Sequence, residues 1–127
     1  MKKNRIILLL AVVLWLTSSV SAATIDRIAV RSEAMKKEIP VVVIVPDAAK
    51  SGVRMPVLYL LHGYSGDQET WLNVKPSLPQ MADRDSVIVV CPDGENSWYW
   101  DSPKDPSSRF ETFVARELID YVDGHYP

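Results

Sequence analysis

Two short, almost unbroken apolar runs, "PVLYLLHG" and "SVIVVCPDG", constrain the fold of this chain more than any other feature. A strand with one face in water alternates apolar and polar residues. A continuous run marks a strand covered on both faces, as in a parallel sheet flanked by helices. Each run ends in a glycine-containing turn. Between them lies "ETWLNVKPSLPQMADRD", which Pro76 and Pro79 break into a short irregular or helical piece and then a helix near 78–83. Strand, crossover, strand is a βαβ unit, and its hand is expected to be right.

The flanking segments fit around that unit. "TIDRIAVRS" alternates and reads as an edge strand. "KEIPVVVIVPD" reads as a second strand, with Pro40 and Pro46 placed where a missing ladder donor suits an edge or a terminus. Together they suggest an antiparallel pair opening an α/β domain. After the second apolar run comes the turn-rich loop "PDGENSWYWDSPKDPSSR". Then Phe110, Val114, Leu118, Tyr121 and Val122 recur at helical spacing, which predicts an amphipathic helix stopping near Gly124. A helix in this position ordinarily leads to another parallel strand. The chain of 127 residues ends there, leaving an apolar sheet edge unpaired. The expectation is therefore that 23–127 is the N-terminal portion of a larger domain.

The first residues are expected to stand outside the fold. "MKKNR" is a basic start, "IILLLAVVLWL" an apolar stretch of 11 residues, and "TSSVSAA" ends in small residues. Residues 1–22 read as a cleaved secretory signal, which points to a secreted or periplasmic protein. The apolar stretch is too short for a membrane span of about twenty residues. Loss of Lys2, Lys3 and Arg5 takes the formal charge from −2 to −5. An acidic domain without a basic cluster is a poor partner for nucleic acid. Cys91 is the single cysteine, so neither an internal disulfide nor a thiol metal cluster is available, and it reads as a small apolar filler.

Ser65, in "GYSGD", invites a reading as a nucleophile. The nucleophile elbow of α/β hydrolases needs G-x-S-x-G, and here Asp67 occupies the second glycine position. Acid and base should also follow the serine in that order. His62 precedes it, and His125 closes a helix. The turn fits another task. An oxyanion needs two preorganised N–H donors, one of which comes from a loop after a strand. His62 and Gly63 would shape that loop and Tyr64 N–H would be the donor; an ordinary strand-end turn is the plainer alternative. Asp93, Glu95 and Asn96 lack the spacing of a calcium loop. Trp98, Tyr99 and Trp100 either line a pocket or plug the top of the sheet.

"PVLYLLHGYSGDQETWL", then "VIVVCPDGENSWYWDSP" and "FETFVARELIDYVDGHYP", resemble the esterase family of α/β hydrolases. That family contains esterase D (S-formylglutathione hydrolase), tributyrin and feruloyl esterases, and mycolyltransferases. The resemblance implies a serine ester hydrolase without metal or organic cofactor. It implies that Tyr64 supplies a backbone oxyanion donor, and that His62, Gly63, Ser97, Trp98 and Tyr99 lie around the substrate. It also places the nucleophile elbow after such a helix, so nucleophile, acid and base have no counterparts in this chain. A small-molecule or polysaccharide-linked ester is the expected substrate; the oligomeric state is left open. An acyltransferase and a non-catalytic glycan-binding module are the alternatives.

Overall fold

The computed structural model describes residues 22–127, and the signal read over 1–22 falls outside them apart from Ala22. Four strands form one mixed sheet: β1 (Thr24–Ser32), β2 (Lys37–Val45), β3 (Val57–Tyr59) and β4 (Ile88–Pro92), in the order β1-β2-β4-β3. β1 and β2 pair antiparallel with Ile28 opposite Val41, and β2 pairs antiparallel with β4. β3 and β4 are parallel, with Leu58 opposite Val89. A single turn of 3-10 helix at Asp47–Ser51 follows β2. The crossover from β3 to β4 carries α1 (Thr70–Val74) and α2 (Leu78–Asp85). The last helix, α3, is continuous over Phe110–Thr112, a π-turn at Phe113–Glu117, and Leu118–His125.

The two-residue period of the strands sorts the core onto two faces. Ile39, Val41 and Val43 of β2 join Ile88 and Val90 of β4 against Phe110, Phe113, Leu118 and Val122 of α3. Val42, Ile44, Val89 and Cys91 point the other way, onto Leu78 and Ala82 of α2. Every residue of β4 is buried, as an unbroken apolar run requires. The α/β class and the crossover expected from the sequence are present.

Two details differ from expectation. β2 lies inside the sheet rather than at an edge, because β4 pairs on its free side. Pro40 is tolerated there because it sits where the β2–β4 ladder ends, its carbonyl accepting from Asp93 N–H at 2.9 Å. β3, expected to be covered on both faces, takes the far edge instead, and Leu58 is 46% exposed. Its apolar run is the same kind as that of β4, so periodicity cannot rank the two strands by position.

Candidate active site

Because β3 and β4 run parallel, the loops after both emerge at one end of the sheet, the end where open α/β sheets bind ligands. The first loop is organised by His62, which is 4% exposed. Its Nδ1 contacts the Gly63 carbonyl at 2.6 Å, while its Nε2 accepts the Gly94 N–H at 2.9 Å. An acceptor at Nε2 fixes the tautomer whose proton is on Nδ1. The Tyr99 hydroxyl donates to the His62 carbonyl at 2.8 Å, so the histidine ties one loop to the other at two points, and its Nδ1 contact with Gly63 braces its own loop. Asp93 Oδ1 is 3.5 Å from Nε2 and serves the Glu95 N–H at 2.8 Å instead. Gly66 is required by space, since a Cβ there would stand 2.8 Å from both His62 Nδ1 and Thr70 Oγ1.

The second loop stores backbone strain. Glu95, Trp98 and Tyr99 all have positive φ, at 50°, 56° and 55°. Two bulky neighbours in the left-handed region are costly, and such strain is found where a loop must present particular groups. The consequence here is that Trp98 turns out, 76% exposed, while the Tyr99 ring turns inward beside His62. Ser97 holds the bend from beneath: its hydroxyl donates to the Gly94 carbonyl at 2.6 Å and accepts the Tyr99 N–H at 3.0 Å. Burial, its leading cause, pushes the Tyr99 hydroxyl up to about 12.

Between the loops is a cavity of about 120 Å³, walled by His62, Gly63 and Tyr64 on one side and Glu95, Asn96, Trp98 and Tyr99 on the other. Sites for small molecules usually enclose about 300–1,000 Å³, and this cavity is smaller. Tyr64 and Trp98 stack across its mouth, ring centres 5.9 Å apart at 25°. Ser65, at φ 64°, gives its N–H to Asn96 Oδ1 at 2.8 Å. The adjacent Tyr64 N–H meets no acceptor among the described residues.

Five of the six residues singled out from the sequence thus wall one cavity, and Ser97 lies below it. Glu95 and Asn96 belong to the wall as well. In the sequence they stood out only as turn formers in "GENS" and as oxygen-bearing residues without calcium-loop spacing, and no spacing announced a contact with Ser65. Neither ring nitrogen of His62 is available to take a proton from Ser65, since one is bound to Gly63 and the other to Gly94. His125 is turned onto the Tyr121 carbonyl at 2.7 Å. Burial pushes the Cys91 thiol up to about 12, so it is no thiolate at neutral pH. Among the described residues, no group of three or more His, Cys, Asp or Glu is placed to hold a metal, and no helix is long and apolar enough to cross a membrane.

Comparison with known proteins bears on this arrangement. Residues 32–127 match the family model described as "Putative esterase". An acetyl esterase from Caldicellulosiruptor saccharolyticus is 36% identical over 73 residues, 58% of this chain and 27% of that protein. An S-formylglutathione hydrolase from Agrobacterium tumefaciens superposes with a TM-score of 0.73 at 22% identity, over 86% of this chain and 46% of that one. The fluorophosphonate-binding serine hydrolase F of Staphylococcus aureus gives 0.71 at 22% identity, over 83% and 42%. The chain therefore spans less than half the length of each of these proteins. Such low identities in the structures speak for a shared fold. The family match includes most of the sheet, all the helices and both loops of the cavity, and on that ground the chain belongs to this esterase family of the α/β-hydrolase fold.

Proposed function

We propose that this chain contributes the oxyanion-holding half of a serine ester hydrolase. The observation that carries the reading is the unpartnered Tyr64 N–H at the rim of the cavity, beside a Ser65 N–H that Asn96 already satisfies. Tyr64 is 68% exposed, so its N–H is open to solvent and available to a substrate oxygen. A donor held rigid by the His62–Tyr99–Gly94 network is suited to the oxygen of a tetrahedral intermediate. In the complete reaction a serine attacks the ester carbonyl with a histidine as base. Tyr64 N–H helps stabilise the oxyanion, and water releases the acyl group. The stacked Tyr64 and Trp98 rings border the acyl or alcohol side of the ester.

Nucleophile and base lie outside the described residues on this reading, so the 127-residue chain by itself does not hydrolyse p-nitrophenyl acetate. A polysaccharide-linked or short-acyl ester suits export, which rests on the basic start and apolar stretch of residues 1–22.

The test is a chimera in which this chain replaces the matched segment of the Caldicellulosiruptor acetyl esterase. Tyr64→Pro deletes the N–H, and the expected fall in kcat is about 10²–10³-fold. Tyr64→Ala keeps the N–H and removes only the ring. Equal losses in the two variants would show that the ring, not the amide, matters, and the oxyanion assignment would fail.

A further inference from the structure

Asp83 ties the start of the described residues to α2. It lies in the last turn of that helix, where the negative end of the helix dipole disfavours a carboxylate. Two backbone donors hold it there. Asp47 N–H reaches Oδ1 at 2.8 Å, and Ala23 N–H reaches Oδ2 at 2.7 Å. Asp47 opens the 3-10 turn after β2, and Ala23 immediately precedes β1. Among the described residues no side-chain cation pairs with this carboxylate: Lys50 is engaged by Asp47 at 2.6 Å and Arg84 by Asp85 at 2.9 Å.

The Ala22–Ala23 bond separates exposed from packed chain. Ala22 is exposed, whereas Ala23 is partly buried and packs against the cluster of Val42, Ile44, Leu78 and Ala82. The leader read over 1–22 ends in "VSAA", which offers cleavage after Ala22, behind V-S-A, or after Ala23, behind S-A-A. The two products differ at Asp83. Cleavage after Ala23 removes both the donor and the packed methyl group. Cleavage after Ala22 keeps both and turns the neutral amide into a primary amine, which is protonated at neutral pH.

We propose that leader removal at Ala22–Ala23 completes a structural ion pair, in which the new α-ammonium group of Ala23 binds the Asp83 carboxylate and fastens β1 to α2. Under a signal peptidase, water adds across the peptide bond. Ala22 leaves as a carboxylate, and the amine on Ala23 takes up a proton. That ammonium supplies the positive charge the carboxylate lacks at the helix end. A charge-assisted hydrogen bond is about twice as strong as a neutral one, so the processed chain is more stable than its precursor. The inference rests on the leader reading of 1–22 and not on the role given to Tyr64.

The 127-residue chain is expressed for export, and the exported product is read by N-terminal sequencing and intact mass. A product beginning at Ala23 is expected. Chains covering 23–127 and 19–127, each released from a removable fusion, are then compared by urea unfolding. Both keep the Ala23 nitrogen as a donor, but only the first carries a charge on it. The longer chain is expected to show an unfolding equilibrium constant about fivefold larger. Asp83→Asn, which keeps an oxygen acceptor and removes the charge, should erase that difference. Sodium chloride at about 1 M, which needs no substitution, should narrow it. A product beginning at Thr24 overturns the proposal and leaves export intact, whereas one that retains Met1 overturns both. Equal stability of the two chains, or a difference that survives both Asp83→Asn and salt, also overturns it.

Discussion

Gly94 and Tyr99 show how tightly single residues define the site. A Cβ at Gly94 would enter the Tyr99 ring, 2.6 Å from Cζ, and the ring cannot swing away without losing the His62 carbonyl. Gly94→Ala is therefore expected to destabilise the fold by about 1–3 kcal/mol, as overpacking does, which urea unfolding will measure. Tyr99 also makes stability depend on alkali. Its hydroxyl ionises near 10.0 when free and near about 12 in the fold, chiefly through burial. Between those values the unfolded chain has lost a proton that the folded chain keeps. Stability is thus intact below pH 10 and falls as pH rises toward 12. Tyr99→Phe should flatten that decline in unfolding curves taken across the window. At neutral pH it should cost about 1–3 kcal/mol for the stranded carbonyl. The sequence makes His62, Gly63, Tyr64 and the aromatic run legible because strand ends and glycine turns are local signals. Asn96 was not legible, since its partner is 31 residues away and one side-chain amide leaves no periodic mark.

Among the elements, α3 departs most from its sequence pattern. Apolar spacing suggested Phe110, Val114, Leu118, Tyr121 and Val122 as the apolar face. In the structure Phe113 is fully buried and Val114 only partly. The π-turn at Phe113–Glu117 accounts for the change: an i→i+5 turn takes one more residue, so Phe113 and Leu118 meet the same core. It also directs Glu117 to the β1–β2 turn. Its carboxylate accepts from Ser32 Oγ at 2.7 Å, Glu33 N–H at 2.7 Å and Ala34 N–H at 3.3 Å. Helical spacing can announce α3, but it cannot announce an inserted residue whose cause is a contact 85 positions away. Hydrogen bonds to a charged group contribute about 1.5–3 kcal/mol each, and these three share one acceptor group and overlap. Glu117→Ala is expected to cost about 2–4 kcal/mol by denaturant unfolding, with faster amide exchange at Glu33 and Ala34. A loss below that range with unchanged exchange would mean that the turn holds itself.

At the scale of the whole molecule, the layers were readable and the order of strands was not. Unbroken apolar runs announce a sheet covered by helices, and α1, α2 and α3 do cover the two faces. β3 and β4 carry the same kind of run, yet one is central and the other is at the edge, because pairing is a property of the assembled sheet. An edge with unpaired backbone groups and apolar side chains such as Leu58 and Leu61 is a template for association, and natural edges are often blunted by lysine. β1, the opposite edge, carries the exposed Arg27 and Arg31, paired with Glu69 at 2.6 Å and Glu33 at 3.4 Å. The asymmetry gives a prediction for the chain alone. Light scattering at increasing protein concentration should show self-association that Leu58→Lys suppresses, because a lysine at an exposed edge position costs the fold little and gives each β3 edge a like charge. Replacing Arg27 and Arg31 by threonine would produce new association through β1 if charge is what protects that edge. If Leu58→Lys leaves the scattering unchanged, the molecules meet through another surface, and the stacked Tyr64–Trp98 pair is the next apolar feature to change.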